Sequence, residues 1–308
     1  MADVTLIYEE HDITADVEII ECICRDVSGC ESDGLNLKVD HAEKWLAWGP
    51  QKNDRIRVLR SGYDSMTMYL NTIVMEDGAY RIIATGAKCV PFRARWQTFE
   101  NKTLAAIMAQ SAAELGMGAR QFGIDGSISY EYLLRKNEVP PAFLERLCNL
   151  EGAALKTLGG YYTAIGIEYA QSLPARHQIE FDINQDGCAY IDRRDMAWAS
   201  VQIKTPFGNG MAWDGKARGG ANQVITDIAV DGAAQARRWA KGLLMMHNRR
   251  CEILKIESVF NPGYTAMGRI DVTGRTEANG EWIIHEAEHD MIDGKSRITA
   301  YRCLDSIT

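Results

Sequence analysis

A change of hydrophobic period, from two residues to about 3.6 and back, constrains this chain more than any other feature. The first ninety residues read as short strands. Val4–Tyr8 comes first, followed by the largely alternating stretch 15–24, then 35–39 after an Asp33-Gly34 turn. Segments 55–59 and 65–74 follow, and the Glu76-Asp-Gly78 turn leads into 80–84. Short strands punctuated by Gly and Asp turns predict a small antiparallel barrel or sandwich.

Past residue 100 the period lengthens. Segment 101–116 has a polar start, apolar Leu104, Ile107, Met108 and Leu115, and a stop at Gly116, which predicts an amphipathic helix. A second helix opens at Pro140-Pro141, where first-turn prolines are tolerated, and carries Phe143, Leu144, Leu147 and Leu150. A strand pair, 179–183 and 188–191, is expected around the Gln185-Asp-Gly187 turn. The glycine-rich segment 206–220 has no periodicity and reads as a loop. Asp231 is the expected cap of a third helix, whose Ala236, Trp239, Ala240, Leu243 and Leu244 share one face. Strands then return at 252–259, 269–272, 281–291 and 297–304. The expected fold is mainly β with an α/β insert: a first barrel over 1–93, the insert over 94–200, and a second barrel with its own helix over 201–308.

Composition narrows the function classes. The 308 residues are 46% hydrophobic and 25% charged, an ordinary globular balance that supports two or three cores. The formal net charge of −8 argues against wrapping nucleic acid, which needs a cationic surface, though not against lining a channel that DNA traverses. No apolar run approaches the roughly 20 residues that span a bilayer. The N-terminus has neither a basic n-region nor a long apolar core, so no signal peptide is expected. The eight cysteines (Cys22, Cys24, Cys30, Cys89, Cys148, Cys188, Cys251 and Cys303) read as reduced thiols, many buried. Cys22, Cys24 and Cys30 lack zinc-knuckle spacing.

Three motifs come close to carrying chemistry. His285-Glu-Ala-Glu-His289 has the zincin spacing, which works on a helix, where positions four apart lie about 6 Å from each other. Its flanks, Trp282-Ile-Ile284 after an Asn279-Gly280 turn, predict a strand instead. There the two half-exposed imidazoles would stand roughly 13 Å apart. Gly210-x4-Gly215-Lys216 has a P-loop skeleton, but Ala217 replaces the magnesium-binding hydroxyl and no helix follows. Asp182-Ile-Asn-Gln-Asp-Gly187 fits half of a calcium loop, but Arg193 stands where a bidentate carboxylate belongs. No catalytic, cofactor or metal site is therefore assigned. The competing enzyme reading is a cell-wall hydrolase or zinc metallopeptidase using His285, Glu286 and His289. A third reading, a carbohydrate-binding β-protein, leans on the tryptophans.

The order of features resembles the phage late-control protein D family of contractile-tail baseplate hubs, the T-even hub-like proteins also found in R-type bacteriocins and related injection systems. The resemblance is carried by Trp45-Leu-Ala-Trp48-Gly-Pro50 with Asn53-Asp54-Arg-Ile-Arg-Val58, and by Phe99-Glu-Asn-Lys-Thr-Leu104. Pro141-Ala-Phe-Leu-Glu-Arg-Leu147 with Glu151-Gly152 extends it, as do Tyr264-Thr-Ala-Met-Gly268 and Asn279-Gly-Glu-Trp-Ile-Ile284 with His289. These soft motifs cover most of the chain. One departure is Asn53-Asp54, where the family often has Gly-Asp; the turn chemistry survives.

The resemblance implies a non-enzymatic virion protein with two tube-like barrels per subunit. Three subunits would form a pseudo-sixfold ring, joining a sixfold tail tube to a threefold spike and lining the channel. The implied partners are two further copies, the tube or tube-initiator protein, the spike and the tape-measure protein. The protein would be made in the bacterial cytoplasm and reside in the baseplate, without membrane contact. No lysozyme-like or needle-like extension is read, so wall cutting would fall to other chains. Phe207, Met211 and Trp213, apolar groups on the glycine-rich segment, are the expected interface residues. The stretch from Phe207 to Asn222 is expected to be mobile in the free subunit and to order against a neighbour.

Overall fold

The computed structural model describes residues 4–29, 31–274, 277–304 and 307–308. The alternating segments form strands as their period requires. Val4–Tyr8 buries Val4, Leu6 and Tyr8, and Gly34–Asp40 buries Leu35, Leu37 and Val39. Each large apolar side chain removed from water in this way contributes roughly 1.5–3 kcal/mol.

The two strand-rich ends meet in one sheet. From one edge it runs Ala189–Asp192, Glu252–Val259, Lys295–Arg302 and Gly280–Asp290. It continues through Glu18–Val27, Gly34–Asp40, Ala79–Thr85, Met68–Glu76, Arg55–Arg60, Val4–Tyr8 and His11–Asp12. The seam pairs Gly280–Asp290 antiparallel with Glu18–Val27, placing His289 opposite Cys24 and Glu286 opposite Val27. The mainly β class with a smaller helical part holds. Among the described residues the strands close no barrel, and the two halves join each other through Gly280–Asp290 and Glu18–Val27 instead. Each half nonetheless keeps its own core. One gathers Leu6, Cys22, Cys24, Trp45 and Ile82; the other gathers Phe181, Leu254, Ile270, Trp282 and Ala300.

The expected hairpin around Gln185–Gly187 does not form. His177–Glu180 pairs in parallel with Arg269–Thr273, while Ala189–Asp192 pairs with Glu252–Val259. The turn thus carries the chain between two different strands of the sheet rather than back on itself. The departure at Asn53 has a plain cause: its φ is +75°, a left-handed conformation that glycine or asparagine adopts most readily. Its side chain also exchanges two hydrogen bonds with the Cys89 backbone.

Helices form where the period lengthens. Helix α1, Glu43–Leu46, is a single turn that buries Trp45. Helix α2, Leu104–Ala113, is capped by Thr103, whose hydroxyl accepts from the Ala106 amide. The predicted polar start at residue 101 lies instead in the strand Arg95–Thr103. Helix α3, Pro140–Leu150, begins on its prolines, and a short α4 covers Ile167–Ser172. Helix α5, Ala233–Asn248, is preceded by Gly232 at its cap position. Asp231 does not cap it; its carboxylate accepts from the Glu131 amide.

One large core unites α2, α3 and α5. It takes Phe99, Ile107, Phe143 and Leu147 together with Val201, Ile203, Ala212 and Trp239. Residues 198–248 therefore pack on the helical insert, across the expected boundary at 200/201. The tie is a close approach of α3 and α5: a Cβ on Gly242 would lie 2.2 Å from the Leu150 carbonyl oxygen. Lys156 joins the insert to the main sheet, forming ion pairs with Asp26 and with Asp33, the latter at 3.0 Å.

Candidate interaction site

The glycine-rich segment 206–220 is a loop only in part, with turns and bends over 214–220. Gly208–Trp213 is a strand, antiparallel to Trp198–Thr205, which in turn pairs in parallel with Ala221–Ile225. Its glycines serve packing rather than freedom. A Cβ on Gly210 would lie 2.1 Å from the Arg237 amide nitrogen, and one on Gly208 would lie 2.5 Å from the Gly232 carbonyl carbon. Only glycine lets this strand lie directly on α5. Composition reports the missing side chains but cannot report the helix that occupies their space.

Strand alternation then sorts the apolar residues. Ala212 faces α5 and is buried, while Met211 and Trp213 face away. Trp213 is 52% exposed, Phe207 at the hairpin tip is 76% exposed, and Val224 on Ala221–Ile225 is 57% exposed. The sheet thus has one face sealed by α5 and one face open to solvent with several large apolar groups. The three expected interface residues do come together on one hairpin. Val224 lies on the same open face, and nothing in the sequence marks it, because Ala-Asn-Gln-Val-Ile carries little strand signal.

The histidine pair sits on the strand Gly280–Asp290, not on a helix. A bulge between Ile284 and Glu286 sends the two imidazoles to different faces. His285 stacks on Tyr301, with ring centroids 4.6 Å apart, and Nδ1 lies 2.9 Å from the Ser28 hydroxyl. His289 is not half-exposed but wholly buried. Its nitrogens contact the Ser296 hydroxyl at 2.9 Å and the Tyr264 carbonyl at 3.0 Å. Glu286 pairs with Arg25. Each member of the zincin pattern is thus held by a separate structural partner. Among the described residues, no group of three or more His, Cys, Asp or Glu side chains is gathered as a metal site.

Burial, reinforced by Arg249, pushes His285 down to about 4, and burial also lowers His289. A histidine below its unfolded value of about 6.5 stays neutral in the fold. Its contribution to stability is present above that value and is lost as pH falls through the folded one. His285→Leu should therefore destabilise the protein more at pH 7.5 than at pH 4.5, where the native histidine is itself a liability. Urea unfolding at both pH values checks this; an equal cost at both would mean that His285 is not held neutral.

The other near-motifs are structural too. Asp182 accepts from the Asn184 amide in a tight turn, and Lys216 follows a turn in which its amide donates to Asp214. Cys22 and Cys24 lie in the N-terminal core, whereas Cys30 falls outside the described residues. A cavity of about 870 Å³ between α4, the end of α5 and the C-terminal strands is lined by charged groups that already pair, such as Arg194 with Asp192 and Arg302 with Glu252. Among the described residues, no helix is long and apolar enough to cross a membrane.

The architecture is that of phage tail proteins. A tail protein from Neisseria meningitidis superposes with a TM-score of 0.72 at 11% identity, covering 97% of this chain and 96% of the other. The 43 kDa tail protein of prophage MuSo2 from Shewanella oneidensis gives 0.71 at 12% identity, covering 98% of each. A type VI secretion component of Escherichia coli, itself described as similar to bacteriophage T4 tail proteins, gives 0.56 at 11% identity over 94% of this chain and 74% of that one. At these identities the likeness is one of fold. No protein-family profile matches the chain, and no curated protein matches it in sequence.

Proposed function

We propose that this chain is a baseplate hub of a phage-like contractile tail: a homotrimeric, non-enzymatic adaptor joining the sixfold tail tube to the threefold spike around a central channel. The observation that carries the reading is a tail-protein fold over essentially the whole chain, 97% of it against 96% of the Neisseria tail protein. The continuous sheet made from both ends of the chain supports it, because each end supplies a separate strand-lined core on a common sheet. The acidic balance suits a channel wall that DNA passes without adhering. Phe207, Met211 and Trp213 are the proposed contact residues, since exposed Phe207 and Trp213 are aromatic groups of the kind that anchor interfaces, with half-buried Met211 beside them.

The test is native mass spectrometry of the purified chain, alone and mixed with its cognate tube and spike proteins. A trimer, alone or with the spike, is the expected species. Monomer under every condition would reject the hub reading. No geometric feature favours the peptidase reading, since His285, Glu286 and His289 are each committed to a different neighbour.

A further inference from the structure

We propose that the groove between the end of α3, the turn Arg194–Met196 and the end of α5 binds an acidic peptide segment of another protein. An apolar side chain of that segment enters the groove, and neighbouring carboxylates meet Arg193 and Arg250. The inference goes beyond the hub reading and stands whether or not the chain forms a trimer.

The groove is apolar inside. Its cavity of about 340 Å³ is lined by Leu243, Met246 and Trp198, and the Trp198 ring stacks on His247 with centroids 3.6 Å apart. His247 Nε2 lies 3.2 Å from the Met196 carbonyl oxygen, which fixes the imidazole in place. The Met196 side chain, also at the groove, is 61% exposed. Exposed apolar groups around a concave site mark a place of contact, and a volume near the lower end of ligand sites, roughly 300–1,000 Å³, suits a few side chains.

Charge selects what enters. The lining includes Arg193 and Arg250, both exposed, and no carboxylate. Among the described residues neither arginine forms an ion pair, not even with Asp195 on the same turn. Behind Met246 stands a third guanidinium, Arg249, which is only 3% exposed and equally without a carboxylate. Its contacts are the Met246 sulfur at 4.0 Å and the Tyr301 ring, whose centroid lies 5.2 Å from the guanidinium carbon. Burial, reinforced by Arg250, pushes Arg249 down to about 10, so it remains a cation at neutral pH. A buried cation that has lost its water and gained no counter-charge is costly, and a carboxylate arriving beside Arg250 would relieve it. The larger cavity differs on this point, since Asp192 and Glu252 already meet its arginines.

An acidic peptide fits both properties. Nucleic acid would bring charge without the apolar contact, and a formal net charge of −8 repels a polyanion. A neutral apolar ligand would leave three guanidinium groups uncompensated. The chain's own end is directed elsewhere: Ile307 and Thr308 pair with Asp214 and Trp213, which aims it along Gly208–Trp213 toward Gly208 and away from Trp198.

The experiment titrates the full chain with three fluorescein-labelled probes, read by anisotropy at low and at physiological salt. They are the peptide Asp-Leu-Phe-Glu, its amide counterpart Asn-Leu-Phe-Gln, and a thymidine tetranucleotide. The acidic peptide should bind at about millimolar concentration or below. The amide peptide should bind about tenfold more weakly, and the difference should shrink as salt rises. Replacing the two exposed arginines together, Arg193→Gln with Arg250→Gln, should remove that preference and leave the amide peptide unaffected. Met196→Asp, which sets a carboxylate at the groove, should have the same effect and decides the matter should the double variant misfold. Equal binding of the two peptides, no binding of either, or a preference untouched by both variants would overturn the proposal. Tighter binding of the tetranucleotide than of the acidic peptide would assign the groove to nucleic acid and overturn it as well. So would self-association of the wild-type chain that sedimentation shows to be lost in these variants, because a second copy would then be the occupant.

Discussion

Replacing Lys156 with methionine should cost about 3–5 kcal/mol of stability, because it strands two carboxylates in the interior. The ammonium lies between Asp26 and Asp33, and the Asp33 side chain is only 2% exposed. Asp33 also accepts from the Val27 amide, and Asp26 from the Ala266 amide. Burial opposes the charge on Lys156, but the two carboxylates outweigh it and hold the ammonium above its ordinary value. Burial pushes Asp33 up to about 7, against the pull of Lys156. A carboxyl raised in this way binds its proton more readily when folded. Its contribution to stability is complete below its unfolded value of about 4 and is lost as pH rises through about 7. The methionine variant should accordingly suffer more at pH 8, where Asp33 ionises without a counter-charge, than at pH 5.5. Adding Asp33→Asn should recover part of the loss. Urea unfolding at the two pH values measures all of this. A cost below about 1 kcal/mol at pH 8 would place the triad with weak surface pairs.

Glu151→Ala should be comparably damaging, by about 3–5 kcal/mol, because one buried carboxylate serves three donors. The Tyr130 hydroxyl donates to it at 2.9 Å, Trp239 Nε1 at 2.5 Å and Arg238 Nε at 2.6 Å. The carboxylate sits at the end of α3, and Trp239 and Arg238 come from α5, so it fastens residues 198–248 to the insert. Hydrogen exchange separates this from a general loss of stability. Protection should fall first in α5 and in Trp198–Thr205, while Glu18–Val27 in the main sheet stays protected. Uniform loss across both regions would contradict the assignment of Glu151 as a local fastener. Glu151→Gln, which keeps the shape and one acceptor, should lie between the variant and the native protein.

Much of the local structure was legible because its cause is local. Alternation marks Val4–Tyr8 and Gly34–Asp40, and the paired prolines mark the start of α3. The strand at His285–His289 follows from its apolar flanks and the preceding turn. The burial of His289 does not, because Tyr264 and Ser296, which enclose it, are brought up by other parts of the chain. The Lys156 triad and the Glu151 cluster were equally invisible. Their members lie up to 130 residues apart, and no spacing announces such a meeting.

The glycine-rich segment marks the boundary between the two kinds of information. Sequence alone determined that residues 206–220 were glycine-rich and without periodicity, and that Phe207, Met211 and Trp213 were apolar groups within them. Only the tertiary structure decided that the neighbour is α5, that residues 208–213 form a strand, and that Trp213 at its far edge pairs with Thr308. The reason is physical: a glycine permits close approach, but which element arrives is settled by the packing of the whole chain. In the same way, alternation determined that both ends of the chain are strands. Whether they close on themselves or join at Cys24 and His289 depended on which edges met, a choice made between segments more than 250 residues apart.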